Sequence, residues 1–338
     1  SKEHQLEVAL NKMKAEWASV EFEIVPYRKT FVLRGLDDIW QMLDDHIVKT
    51  QSMGFSPYKK PHEEAILAWD KLLNRVSELL DEWTKFQQGW MQNEPIFSSD
   101  DIMEQLPNEG KKFRTVDRQW IKSMDSAKSN PVVVNFVQSN PRLLEAFLEC
   151  NKTIDEIQKG LEEYLEKKRQ SFARFYFLSN DQLLAILSHT REPRAVQPYM
   201  SKCFENVSLL EFEEDNKMVA MISAEGERVP FVHGGIYPKG NVEEWLGAVE
   251  GMMKSSVRDQ ILLATEDYTV TPRKEWVTKW PGQVVLVVSQ MFWTQEVEQV
   301  FQEGKSMKDY YKLLENQLVG LTEVVRGELS NMERITVG

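Results

Sequence analysis

The sequence predicts a mainly α fold, an elongated multi-helix bundle or arch with a small antiparallel β meander inserted. Three observations predict it. Apolar residues recur at three- and four-residue spacing along most of the chain. One run of them, Ile66, Trp69, Leu73, Val76, Leu80, Trp83 and Trp90, keeps that alternation over roughly three and a half heptads. Only between Val207 and Phe231 does the period change, to short apolar or alternating stretches.

Composition narrows the functional classes. A chain of 338 residues is long for one core and has room for two or three compact units. With 42% hydrophobic and 28% charged residues it belongs among ordered chains. A net charge of −12 argues against a nucleic-acid surface and against a membrane surface, since both require clustered cations. The two cysteines, Cys150 and Cys203, lack CxxC spacing and read as buried free thiols in a reducing compartment. No basic-apolar leader opens the chain, and Ser1 reads as a truncated start. The uncharged stretch Trp280–Gln295 contains Pro281, Gln283, Ser289 and Gln290. A span needs about 20 predominantly apolar residues, so this is expected to be a core helix.

Taken in order, Leu6, Leu10, Met13 and Trp17 mark a first amphipathic helix. Phe22–Val25 is a short extended piece that stops at Pro26, and Leu36, Trp40, Leu43 and Ile47 define the next helix. Gly54–Pro61 breaks it. The seam from Ile66 to Trp90 follows, with Gln87 its only polar entry, and its helix reaches roughly 35 Å at ~1.5 Å per residue. Such a seam packs nearly parallel or antiparallel to a neighbour. A dimeric coiled coil is the sharper alternative, but bulky Trp residues suit a bundle interior better. Asn93–Pro107 reads as a connection in which Ser98-Ser-Asp-Asp101 starts a helix, and helical pattern returns at Phe113–Met124 and Asn140–Cys150. Pro131 and Pro141 interrupt it, so a boundary is expected there, giving subdomains 1–135 and 136–338.

From Thr153 to Leu187 the chain reads as helix, aromatic knot, helix. Thr153 and Glu156 have the form of a capping box, and Ile154, Ile157, Leu161 and Leu165 share one face. The basic run Lys167, Lys168 and Arg169 precedes Phe172, Arg174, Phe175, Tyr176 and Phe177, the last three aromatics being expected in the core. Ser179 and Gln182 cap the next helix, which carries Leu183, Leu184, Ile186 and Leu187. The basic island has two readings: cations favoured at a helix C-terminus, or an inter-subdomain latch with Arg174 paired to a carboxylate.

The meander, residues 207 to 232, is made of Val207–Phe212, Met218–Ile222 and Arg228–Phe231, with turns at Glu214–Lys217 and Glu225-Gly226. Strands this few need helices to pack on. A glycine loop, Gly234-Gly235 to Gly240, leads to a helix bearing Val242, Trp245, Leu246, Val249 and Met253. Thr271–Lys274 turns the chain into Trp276 and Trp280. The apolar helix Val284–Trp293 follows, and the last helix carries Met307, Tyr310, Leu314, Leu321 and Val325; Gly338 ends the chain with no closing cap.

Chemical motifs fail on spacing. Gly304-Lys305-Ser306 imitates a phosphate loop, but Gln299 stands where the earlier glycine belongs and no strand precedes it, so a helix–helix turn is expected. His233-Gly-Gly has no G-x-S-x-G elbow to accompany it. His4, His46, His62, His189 and His233 lack ligand spacing. No catalytic, cofactor-binding or metal residues are expected.

The stretch YLEKKRQSFARFYFLSNDQLLAILS, Tyr164–Ser188, followed by EPRAVQPYMSKCFENV, closely resembles the linker region of dynein heavy chains. The stretches IFSSDDIMEQLP, NVEEWL and WPGQVVLVVSQMFWTQEVEQ make the axonemal members, of inner-arm type, the nearer likeness. The motif YLE-x-KR-x-x-F-x-RF-x-F falls here on Tyr164, Lys168, Arg169, Phe172, Arg174, Phe175 and Phe177, which we take as a structural joint. The resemblance implies a mechanical lever that arches over an AAA+ ring and joins it to a tail. Such a lever bends and straightens with nucleotide state to give the power stroke along microtubules. ATP and Mg would reside in the ring of the whole heavy chain, beyond a fragment that stops before the first AAA+ module. Implied partners are that ring, microtubules through the full motor, and other dynein subunits through the tail, in the axoneme of a cilium or flagellum. A lever needs a place that bends cheaply, and Asn130, Pro131, Pro141, Gly234 and Gly235 are the candidate hinge residues. A static helical scaffold that binds partner proteins is the alternative.

Overall fold

The computed structural model describes residues 2–189 and 192–338. It has fourteen α-helices, a two-stranded and a three-stranded antiparallel sheet among the described residues, and divides into two compact units, Ser1–Tyr164 and Leu165–Gly338.

The first unit opens with α1 (Lys2–Trp17), which buries Leu10, Met13 and Trp17 at helical spacing. A hairpin follows, β1 (Glu23–Tyr27) and β2 (Thr30–Arg34), turning at Arg28-Lys29 with Arg28 at φ 49°. The strand expected to stop at Pro26 runs through it. In a two-stranded sheet β1 has a free side, where a residue with no N–H costs no ladder bond. In α2 (Asp37–Gly54) the buried stripe is Ile39, Leu43, His46, Thr50 and Met53, so Leu36, Trp40 and Ile47 sit half-buried on its flank.

The seam lies on α3 (Glu63–Phe97), a 35-residue helix of about 52 Å, longer than expected. The segment from Asn93, read as a connection, stays helical past Pro95 because Phe97 is buried and stacks on Phe113 at 5.3 Å. The helix start at Ser98–Asp101 is kept, as α4 (Asp100–Gln105). All seven seam residues are buried. Their neighbours come from the same unit: α2, α5 (Pro107–Ser129) and α6 (Val133–Ser139). Trp83 stacks on Phe136 at 5.3 Å and meets Phe22 edge-on at 5.2 Å, while Trp90 stacks on Trp120 at 5.1 Å. Gln87, the polar entry, is used: its side chain accepts from the Leu33 amide at 2.8 Å and donates to the Leu33 carbonyl at 2.9 Å, pinning β2 to the helix.

The compact units do not divide near 135. Phe22 N donates to Pro131 O and Val133 N to Val20 O, each at 2.9 Å, and α6 buries Val133, Val134, Phe136 and Val137. The two prolines interrupt helices without separating cores. The division falls instead inside α7 (Leu143–Ser171). That helix begins ten residues before Thr153, because Phe147, Cys150, Ile154, Ile157, Leu161 and Leu165 make one unbroken buried stripe. Thr153 caps nothing; its hydroxyl donates back to Glu149 O at 2.9 Å.

In the second unit α8 (Asn180–Leu187) carries the expected capping box of Ser179 and Gln182. After the short α9 (Met200–Cys203) comes the meander, β3 (Leu209–Phe212), β4 (Met218–Ile222) and β5 (Arg228–Pro230), in that spatial order. Its turns use Asn216 at φ 66° and Gly226 at φ 93°. Four longer or shorter helices complete the unit before the last: α10 (Val242–Tyr268), α11 (Arg273–Lys279), α12 (Gly282–Gln302) and α13 (Met307–Arg326). A final helix, α14 (Asn331–Val337), starts at a Ser330–Glu333 capping box that the apolar pattern does not anticipate. The core here gathers Ala264, Trp276, Val277, Val284, Val285 and Val288. The helix expected to be core, α12, is core on one side only: Leu286, Met291, Trp293 and Phe301 are exposed. Gly304 (φ 61°) makes the α12–α13 turn, and the Ser306 hydroxyl accepts from Asp309 N at 3.4 Å.

Candidate functional site

The joint is built by two periods meeting. Lys168 and Arg169, three and four residues past Leu165, continue the face of the buried stripe, and the chain then tightens into a 3-10 turn, Ala173–Phe177. Three residues per turn put Phe172, Phe175 and Leu178 on one side, all buried. Phe172 meets Phe175 edge-on at 5.0 Å and Phe204 at 6.3 Å. The same period turns Tyr176 and Phe177 outward, 54% and 68% exposed, against their expected place in the core. Tyr176 is held there by donating its hydroxyl to Glu166 at 2.6 Å, which pushes its phenol pKa up.

The cations find their partners on α10. Lys168 pairs with Glu243 in a contact shielded from solvent on both sides. Arg174 makes a forked pair with Glu250, Nε and Nη2 each at 3.3 Å from a carboxylate oxygen, and donates through Nη1 to Cys203 O at 3.0 Å. Its guanidinium also lies 4.6 Å from the centre of the Phe204 ring. Glu250 is held below the usual carboxylate range by hydrogen bonds from Lys254 first and Arg174 second. Arg169 closes the turn locally, donating to Leu178 O at 3.2 Å and Asn180 Oδ1 at 2.7 Å. Cys203 behind it is pushed up to about 11 by burial, so its thiol stays protonated and inert. The arrangement is two charge pairs over an aromatic plug, all within the second unit rather than between units.

Of the seven residues named from the motif, five converge: Lys168, Arg169, Phe172, Arg174 and Phe175. Tyr164 belongs to the first unit, where its hydroxyl donates to Gln105. Phe177 faces outward. What sequence reasoning missed is the acceptor side, Glu243 and Glu250. Their signal was present: a seven-residue step puts two carboxylates on one face of a helix.

Among the candidate hinge residues, Asn130 ends α5 with its amide on Ser126 O at 3.0 Å. The Pro131 carbonyl is bound as described, and the Pro141 carbonyl accepts from Arg75. Gly234 and Gly235 sit at φ 74° and 100°. A Cβ on Gly235 would lie 2.2 Å from Met218 O, because Ile236 and Met218 exchange two backbone bonds at 2.8 and 2.9 Å. Trp90 is buried and donates to Asp117 at 2.9 Å, whereas Trp293 is 54% exposed. Among the described residues no cluster of His, Cys, Asp and Glu is arranged to hold a metal, and no helix is long and apolar enough to cross a membrane.

With this helical architecture described, comparison with known proteins gives the class of the chain. Residues 1–264 match the family model of the dynein heavy chain, N-terminal region 2, and the chain belongs to that family. Its similarity is to axonemal members. It is 48% identical over 338 residues to dynein axonemal heavy chain 1 of Mus musculus, covering 99% of this chain and 8% of the relative. It is 47% identical to dynein axonemal heavy chain 3 of Homo sapiens, covering all of this chain and 8% of that one. Against dynein axonemal heavy chain 12 of Rattus norvegicus the figures are 48%, all of this chain and 11%. The chain thus spans about a tenth of the length of the curated relatives it matches. The names of these relatives are those of axonemal proteins.

Proposed function

We propose that this chain is the mechanical linker of an axonemal dynein of inner-arm type, a lever that bends and straightens over the AAA+ ring of the same heavy chain. The observation that carries the reading is α3, a strut of about 52 Å whose seam is enclosed by its own unit along its length. A lever must resist bending, and a helix gripped on its apolar face by three neighbours does so. The charge pairs at the joint support the same reading, because directional, charge-assisted hydrogen bonds fix its geometry. In this reading catalysis lies elsewhere. ATP and Mg bind the ring of the whole protein, microtubules are met only by the full motor, and other dynein subunits by its tail. Bending is assigned to the segments around Asn130, Pro131 and Pro141 or around Gly234 and Gly235.

The test uses the full-length heavy chain, labelled with a donor fluorophore on an exposed α3 position such as Lys71 and an acceptor on the ring. The expected outcome is two transfer efficiencies that exchange with nucleotide state. One efficiency in every state would overturn the lever and leave the static scaffold.

A further inference from the structure

The second unit carries a groove of about 1070 Å³ between the meander, α10, α12 and α14. Its floor is apolar, with Met221 and Val229 from the sheet and Met253 and Val257 from α10. Around its mouth stand Leu262, Leu286 and Ile335, each 59% exposed. Scattered exposed aliphatic residues need no explanation, but three on the rim of one groove do.

We propose that this groove is a docking site for an amphipathic helix of a partner polypeptide, with an apolar ridge along one face and carboxylates on one flank. Size comes first: the volume is at the upper end for small-molecule pockets and suits side chains from two or three turns of helix. A strand is the wrong shape, because β5 offers three residues and carries Pro230, leaving little edge to extend.

Charge sets the flank. Four charged residues line the groove: Glu225, Glu227, Lys254 and Arg258. Three are already engaged. Glu227 accepts from Gly282 N at 2.7 Å, Glu225 is bonded to Ser223, and Lys254 pairs with Glu250 at 2.8 Å. Arg258 makes no hydrogen bond or ion pair among the described residues. It also stands four residues from Lys254, a like-charge spacing that mildly disfavours the helix until an anion arrives. The groove therefore presents one uncompensated cation beside an apolar floor, and a ligand carboxylate answers it.

The probe is a fluorescent helical peptide of about 16 residues, with leucines at three- and four-residue spacing and glutamates on one flank, titrated into the whole chain. A second peptide replaces the glutamates by lysines. Expected are saturable binding of the acidic peptide, its loss in Leu286→Asp, and about tenfold weakening in Arg258→Glu, with the basic peptide then preferred. Both positions are exposed, so circular dichroism should show an unchanged fold. Absent binding overturns the proposal, as does equal binding of both peptides to both forms. Self-association of the chain lost in Leu286→Asp, or uptake by neutral lipid vesicles, would overturn it too, assigning the groove to a second copy or a bilayer. No nucleotide or motor activity enters this assay, so its failure leaves the lever reading untouched.

Discussion

The two units differ in how they hold their aromatic residues, although the first also leaves Phe55 and Tyr58 exposed. In the first, Trp83, Trp90, Trp120, Phe86, Phe136 and Phe147 are all enclosed, ring against ring at 5.0 to 5.3 Å. In the second, the enclosed rings are fewer, charge pairs do part of the holding, and Trp293, Phe301, Tyr176 and Phe177 stay outside. The difference teaches what each region resists. Dispersion among interlocked rings is lost by any displacement, so the α3 seam is stiff. An ion pair over an aromatic plug instead fixes geometry through a few directional, charge-assisted hydrogen bonds, so the joint depends on single residues.

The largest effect should come from breaking the enclosed side. Trp83 is fully buried among Phe22, Phe136 and Phe147, and Trp83→Ala leaves a cavity that rigid neighbours fill poorly. A loss of about 3–5 kcal/mol is expected in urea unfolding. Trp293→Ala is the paired control and should change stability by no more than ~0.5 kcal/mol. Equal losses would erase the comparison.

The charge pairs of the joint rank next. Glu243→Gln removes one charge from a shielded pair with Lys168, and a loss of about 1.5–3 kcal/mol is expected in the same unfolding assay. The double change Lys168→Met with Glu243→Leu should recover most of it, because an apolar pair of similar volume needs no desolvated charge. If the double variant is weaker than Glu243→Gln, the two residues do not act as a pair.

How much of this was legible depends on whether one period governed a stretch. The α3 seam, the meander with its turns and the Ser179–Gln182 cap obey a single local rule each, and the sequence carries them almost to the residue. Failures fall where two rules compete. Thr153 and Glu156 satisfy the pattern of a cap, but the buried stripe through Phe147 and Cys150 outweighs it. Phe177 reads as core in a helical or strand period and is outside in a period of three. On α12 an uncharged run hid two faces, one packed on Trp276 and one open, since periodicity is invisible when both faces are apolar. Glu243 and Glu250 were missed for another reason: partners 75 and 76 residues away are set by tertiary packing.

The smallest effect, and the sharpest probe of the first unit, concerns a buried polar contact that the apolar pattern of α2 passed over. His46 is 5% exposed, and its Nδ1 accepts from the Trp17 indole N–H at 3.0 Å. The ring proton therefore sits on Nε2, which faces Glu16 at 3.2 Å. Burial, the largest influence, lowers the imidazole pKa; Glu16 works against it, Lys49 with it, and Asp45 against it. The unfolded chain, with an ordinary value near ~6.5, thus binds this proton more readily than the folded one. Between the two values stability must rise with pH, so this contribution is complete above the unfolded value and is lost as the solution is acidified below it. Protonation at Nδ1 would also set two donors against each other at Trp17. Urea midpoints at pH 7.5 and 5.5 should show a drop that is smaller in His46→Gln, whose amide oxygen can still accept from the indole. Parallel slopes in the two proteins would mean that the enclosed unit, unlike the joint, has no titratable element in its core.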